Sequence, residues 1–235
     1  MPASSFPPNH PRIRVVGAFD ELVTARFESG VNALCWPRVL EGDFEEVVMK
    51  LKAGPGITHL TEDMLRALPL SAAGRLAAAA MLDDYQRLVD HGLQPALDCV
   101  NGYEHAEETG PVRTDVCSWH ADSATAEVDT WLCTYHGAST EGLINEEAIR
   151  RVDVPETRAE LLKLYGGADD GDFREWLNER FYDLHYAPLP HARPYAFGAG
   201  NLWRIATLHD GCAVPPCVHR APGFVPGQKR LLLIS

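Results

Sequence analysis

The sequence predicts a mainly β protein with flanking helices, an α+β chain forming one domain over residues 1–235. Three observations carry this expectation. Short apolar or alternating runs, bounded by Gly, Pro and Asn, recur through the second half. Ahead of them, residues 39–100 hold an alanine- and leucine-rich block with apolar residues at helical spacing. No internal repeat and no linker separates two cores, and 235 residues can bury one sizeable core.

Taken in order, residues 1–11 are rich in proline and serine and read as a loose arm. Residues 12–16 and 31–36 read as short strands. Gly42-Asp43 then caps a helix through Leu51, because an Asp side chain can accept the unpaired N–H groups of a first turn. Thr61 opens a second helix through Leu68, and Ser71 a longer one through Asp90. This block reads as mechanical support, and nothing in residues 39–100 demands chemistry. The β-rich core spans 112–235, with strands expected at 112–120 and 125–135. Residues 145–185 turn helical, in pieces at 145–151, 155–164 and 172–181. Strands resume at 194–197, 201–207, 217–219 and 229–234. Gly198-Ala-Gly200-Asn reads as a hairpin turn, since glycine supplies positive φ cheaply.

The chemistry concentrates in His120-Ala-Asp122, then His219 far downstream, then Arg230 opening an aliphatic run. Two imidazoles and one carboxylate suit a facial triad, which holds iron(II) on one side and leaves other positions open. Residues i and i+2 of a strand share a face, so His120 and Asp122 can grip one ion. The third ligand must come from a distant strand folded alongside. Arg230 lies eleven residues after His219, enough for a turn and a return strand. His209-Asp210 with Arg220 has the same spacing, but Arg220 is followed by Ala-Pro-Gly-Phe-Val-Pro-Gly, which is turn chemistry and cannot carry the arginine on a strand.

With those residues in place, the chain resembles the iron(II)/2-oxoglutarate-dependent oxygenase superfamily. The likeness covers about residues 112–235. Asn32-Ala-Leu-Cys-Trp-Pro-Arg38 and Thr134-Tyr-His-Gly137 look like a branch usually described only as a domain of unknown function. The resemblance implies a double-stranded β-helix, the jelly-roll arrangement of two facing sheets, with residues 39–100 buttressing it. It implies iron(II) on His120, Asp122 and His219, with 2-oxoglutarate and O2 as co-substrates. The far carboxylate of 2-oxoglutarate pairs with Arg230, a guanidinium that binds a carboxylate through two hydrogen bonds. Thr134 or Tyr135 is expected to add a hydrogen bond to the co-substrate. The insertion at 145–185, lying between the ligands, is expected to cover the site and shape the substrate pocket. Trp119 and Trp203 are candidate pocket walls, and Arg220 a candidate partner for a substrate carboxylate. The implied activity is hydroxylation or a related C–H oxidation of a small metabolite, an amino-acid-like one among the candidates.

Two other readings stay open. One is a cupin-like metal-binding protein without 2-oxoglutarate turnover. The other is a zinc-bearing interaction domain built on Cys212 and Cys217 with His219, joined by Cys117 and His120. Composition narrows the partners. A net charge of −12 with no basic cluster disfavours nucleic acid. With 46% apolar and 23% charged residues, the chain is ordinary globular protein. No apolar stretch reaches membrane-spanning length. The N-terminus lacks a charged region followed by an apolar one, and six scattered cysteines fit a reducing compartment, so the expected location is cytoplasmic.

Overall fold

The computed structural model describes residues 10–102 and 110–235, so most of the arm expected over 1–11 lies outside the described residues. The fold is β-rich α+β. Its frame is a seven-stranded sheet built from β1 (Ile13–Val15), β2 (Ala33–Trp36), β3 (Gly56–Leu60), β4 (Ala96–Asn101), β5 (Asp129–His136), β10 (Leu202–Ala206) and β12 (Arg230–Ile234). The order across it is β1-β2-β10-β5-β12-β4-β3, and every pairing except β1 with β2 is antiparallel. A smaller sheet contains β6 (Glu141–Leu143), β9 (Tyr195–Ala196) and β11 (Val218–Arg220), in the order β11-β6-β9. Strands β7 (Ala148–Arg150) and β8 (Tyr186–Pro188) form a separate ribbon.

The period-2 alternation of each central strand decides what covers each face of the large sheet. Leu97, Cys99, Trp131, Cys133, Tyr135, Leu231 and Leu233 turn to one side. There they pack with Val47, Leu65, Met81 and Leu88 from the helices α2 (Phe44–Lys50), α3 (Glu62–Ala67) and α4 (Ala72–Asp90). Asp43, Thr61 and Ser71 cap these three helices, each accepting an N–H of the first turn as their sequence positions require. On the opposite face Leu132, Trp203 and Ile205 meet Tyr195, Phe197 and Cys217 of the smaller sheet's side. The large sheet is therefore buried on both faces over its centre.

One polar cluster ties helix to sheet. Arg38 donates to both carboxylate oxygens of Asp84 on α4, at 2.5 and 2.8 Å, and its Nε donates to the Gly200 carbonyl at 3.0 Å. The Tyr135 hydroxyl donates to the same Asp84 at 2.9 Å. The pair is almost wholly out of water, so each charge relies on the other.

Several expectations need correction. Residues 39–100 are not helices alone: β3 and β4 lie within them and extend the large sheet. A short helix, α1 (Phe19–Thr24), also went unanticipated. Residues 112–120 are not a strand. The Asp115 carboxylate accepts the Cys117 and Ser118 N–H groups and folds this stretch into a turn, and His120 makes its only ladder pairings. Of the helical pieces in 145–185, α5 (Pro155–Tyr165) and α6 (Gly171–Asn178) form, but 145–151 becomes a 3₁₀ turn, the strand β7 and the start of a second 3₁₀ turn. Pairing with β8 overrides local helix preference there. Gly198 and Gly200 do adopt positive φ, 77° and 81°, yet no hairpin results. Their turn carries the chain from β9 in the small sheet to β10 in the large one.

Removing one partner of the buried Arg38–Asp84 pair should cost about 3–5 kcal/mol. Tyr135→Phe, which leaves that pair intact, should cost about 1 kcal/mol. Chemical denaturation of Asp84→Ala and Tyr135→Phe measures both; equal losses would show that the ion pair does not anchor α4 to the sheet.

Candidate metal centre

His120 and His219 sit directly opposite one another on antiparallel segments. Each N–H donates to the other's carbonyl at 2.9 Å. Residues paired in this way send their side chains from the same face, and the two imidazole rings stand 4.5 Å apart, centroid to centroid. The other edge of the His120 segment is held too. Tyr186 N–H donates to the Trp119 carbonyl at 2.8 Å, and Ala121 N–H to the Leu184 carbonyl at 2.9 Å. Asp122, two residues on, returns to the same side, and Leu208 N–H fixes its carbonyl at 2.8 Å.

The three side chains converge. One donor atom from each of His120, Asp122 and His219 lies within 4.8 Å of the others. His120 Nε2 is 3.7 Å from Asp122 Oδ1, and His219 Nε2 is 3.6 Å from Oδ2. The opposite ring nitrogens are occupied: Nδ1 of His120 meets the Ser118 carbonyl at 2.8 Å and Nδ1 of His219 the Cys217 carbonyl at 3.2 Å. A carbonyl only accepts, so Nδ1 carries a proton in each ring and Nε2 is the ring atom turned to the cluster. Burial, with His219 beside it, holds the His120 imidazole below its usual range, so it is neutral at pH 7. Burial alone would raise the Asp122 carboxyl. The His219 imidazole, the Thr130 hydroxyl and His120 outweigh it and keep the group ionised. The Thr130 hydroxyl donates to Asp122 Oδ2 at 2.5 Å and sets the carboxylate's rotation.

The triad opens into a cavity of about 210 Å³ between the two sheets, and Arg230 lines the same cavity. Arg230 is buried; its Nε donates to the Ala138 carbonyl at 2.7 Å, and its Nη2 lies 3.5 Å from Thr140 Oγ1. Gly137 makes room for it. Its φ is 84°, and a Cβ there would lie 2.6 Å from the Lys229 carbonyl and 3.0 Å from Arg230 Cγ.

Other candidates land elsewhere. Tyr135 faces the helices, bonded to Asp84, on the wrong side of the large sheet to serve this cavity. Thr134 alternates toward the small sheet and is buried, with no hydrogen-bond partner for its hydroxyl among the described residues, and it does not line the cavity. Thr130 and Thr140 do, and sequence reasoning missed both. Arg220 is engaged by Glu141 at 2.7 Å and lies over the Trp119 ring, so it is not aimed at a substrate. Trp203 is core, donating to the Phe197 carbonyl at 2.9 Å. None of residues 145–185 lines the cavity; α5 and α6 pack instead around Val112, Val152 and Phe173. His209 bonds to the Asp210 carbonyl and stays outside the cluster. The cysteines also stay out. Cys212 Sγ contacts the Thr207 and Val214 carbonyls, and burial pushes the Cys217 thiol up to about 12, which disfavours a thiolate ligand.

Comparison of the chain with protein-family models, with curated proteins and with solved structures finds no match. Function therefore has to be argued from the site itself.

His120→Ala and His219→Ala should each lose metal while the fold persists, whereas His209→Ala and the double change Cys212→Ser with Cys217→Ser should keep it. Thr130→Ala should weaken metal binding by about 10–100-fold, because it frees the carboxylate to rotate. Metal analysis of the purified variants, with chelator competition for Thr130→Ala, checks each expectation. Metal lost on removing the cysteines would move the site to them.

Proposed function

We propose that this chain is an iron(II)- and 2-oxoglutarate-dependent oxygenase acting on a small molecule, built on a double-stranded β-helix. The observation that carries the reading is one cavity lined by both the His120–Asp122–His219 cluster and the buried Arg230. A metal site alone asks for no buried guanidinium. A guanidinium lining the same cavity as the cluster is placed to pair with a carboxylate that enters it, and a dicarboxylate co-substrate supplies one.

The strand pairing supports the fold reading. Strands β4, β12, β5 and β10 are neighbours in the large sheet, and the His120 segment, β11, β6 and β9 are neighbours in the small one. From β4 through the His120 segment and β5 to β6, and again from β9 through β10 and β11 to β12, the chain changes sheet at each step; the link from β6 to β9, which carries the β7–β8 ribbon, stays with the small sheet, and this is the winding of a jelly roll.

The donor set fits iron(II): two imidazoles and one carboxylate, grouped on one side and facing open space. Bound there, iron(II) with 2-oxoglutarate and O2 supplies oxidation of an otherwise unreactive C–H bond. The chain's own residues set the conditions. The backbone carbonyls of Ser118 and Cys217 fix ring tautomer and orientation, and Thr130 holds the carboxylate. Asp122 offsets part of the dication's charge. Arg230, charged at any relevant pH, would hold the distal carboxylate through paired hydrogen bonds. Leu132, Leu232 and Ile234 on the cavity wall keep water from the reacting groups.

Anaerobic titration with iron(II) and 2-oxoglutarate should produce a metal-to-ligand charge-transfer band. In Arg230→Ala, 2-oxoglutarate affinity should fall by roughly a hundredfold or more, because the buried pair is worth about 3–5 kcal/mol, and metal content should be unchanged. Arg230→Lys should be intermediate. An Arg230→Ala protein with unaltered 2-oxoglutarate affinity would remove the co-substrate assignment and leave a cupin-like metal protein.

A further inference from the structure

The cavity holds a second buried charge, of opposite sign. Asp98 lies on β4, whose alternation sends Leu97 and Cys99 into the helix-packed core and Asp98 and Val100 to the cavity. Across the ladder Asp98 faces Leu232 and Val100 faces Arg230, so the carboxylate stands one alternation step from the arginine on the neighbouring strand. Its side chain is only 9% exposed. Among the described residues its hydrogen-bond partner is His59, which meets Oδ1 at 2.6 Å. That imidazole is 78% exposed, on the edge strand β3, and stands between the carboxylate and solvent.

A carboxylate removed from water needs partners for several lone pairs. One hydrogen bond to a solvent-exposed ring leaves Oδ2 without a protein donor among the described residues, on the wall of an open cavity. The rest of that wall near it is aliphatic: Ile57, Val100, Leu232 and Ile234. A molecule that enters the cavity can supply a donor to it. Arg230 is suited to an anion, and Asp98, on the adjacent strand, to a cation.

We propose that Asp98 is the substrate-recognition residue of this site, and that the substrate is a small aliphatic amine bound as its ammonium through Asp98. Resting on the oxygenase reading for what is then done to that amine, this assignment names the class of molecule the cavity accepts. The ammonium supplies up to three N–H donors and the charge that Asp98 lacks. The alkyl body lies along Ile57, Leu232 and Ile234. The formal charge of −12 on the whole chain favours the approach of a cation. His59 covers the carboxylate while the cavity is empty of substrate and, being exposed, can swing away without loss of packing.

Hexylammonium and hexanol, matched in length and differing in charge, serve as probes in calorimetric titrations of the iron(II)-loaded full chain without oxygen. Hexylammonium should bind at least tenfold more tightly than hexanol, and Asp98→Asn should erase that preference while leaving hexanol binding unchanged. His59→Ala should bind hexylammonium as tightly as the unaltered protein or more so, which keeps the test decisive even if Asp98→Asn folds poorly. Equal binding of the two probes to the unaltered protein, a preference that survives Asp98→Asn, or loss of hexylammonium binding in His59→Ala would each overturn the assignment. The outcome is independent of co-substrate chemistry. Ammonium selectivity without a 2-oxoglutarate charge-transfer band would sink the oxygenase reading and keep the amine site; the band without selectivity would do the reverse.

Discussion

Two backbone hydrogen bonds, from His120 N–H to the His219 carbonyl and back, join stretches of chain that are far apart in sequence. The chemistry of the molecule depends on that pairing. It sets both imidazoles on one face, and through the intervening Ala121 it places Asp122 beside them. Little regular structure surrounds it: His120 belongs to no extended strand, and β11 is three residues long. Rigidity comes from being held on both edges, by β11 on one side and by the backbone of 184–186 on the other. A site assembled from such short segments needs every peptide group in them satisfied, and the reciprocal pair meets that demand.

Behind the site stands a sheet covered on both faces. Its helix side is closed by α2, α3 and α4, with the Arg38–Asp84–Tyr135 cluster pinning α4 in place. Its other side is closed by Tyr195, Phe197 and Cys217 at one end and opens into the cavity at the other. The division of labour runs along the alternation of each strand. On β12, Leu231 and Leu233 serve the core while Arg230, Leu232 and Ile234 serve the cavity. A slip of one residue in β12 would put the arginine among the helices and the leucines in the cavity, so register and chemistry are specified together.

What was readable in the sequence was local. The caps at Asp43, Thr61 and Ser71 are readable because a side chain three residues from its partner needs no tertiary information. The His120–Asp122–His219 set is readable because few arrangements use those donors at that spacing, and Arg230 because it opens an aliphatic run. Strands β3 and β4 were hidden between helices, and half of their residues are polar or small. Thr140 was hidden because it sits in the connection ahead of β6, outside any strand pattern, and Thr130 and Asp98 were hidden for another reason. Period-2 alternation sorts a strand into two sets without saying which set meets the cavity. Thr134 and Tyr135 show the limit plainly: as neighbours on one strand they must face opposite ways, and only packing by α2 and α4 decides which faces the helices. The failed hairpin at Gly198–Gly200 has the same origin, since turn residues announce a reversal and not a partner.

The hydrogen bond between Thr130 and Asp122 joins two layers of the molecule. Thr130 belongs to β5 at the centre of the large sheet, whereas Asp122 follows the segment paired to the small one. An ion gripping Asp122 together with His120 and His219 would therefore fasten layer to layer as well as residue to residue. Any ligand that binds the folded state alone raises its stability with concentration, and here the gain would fall on the seam between the sheets. The cavity lies along that seam, so an ion at the centre would also steady the opening. Without an ion there, the two layers would be held together at this point by the Thr130–Asp122 bond and the packing around it.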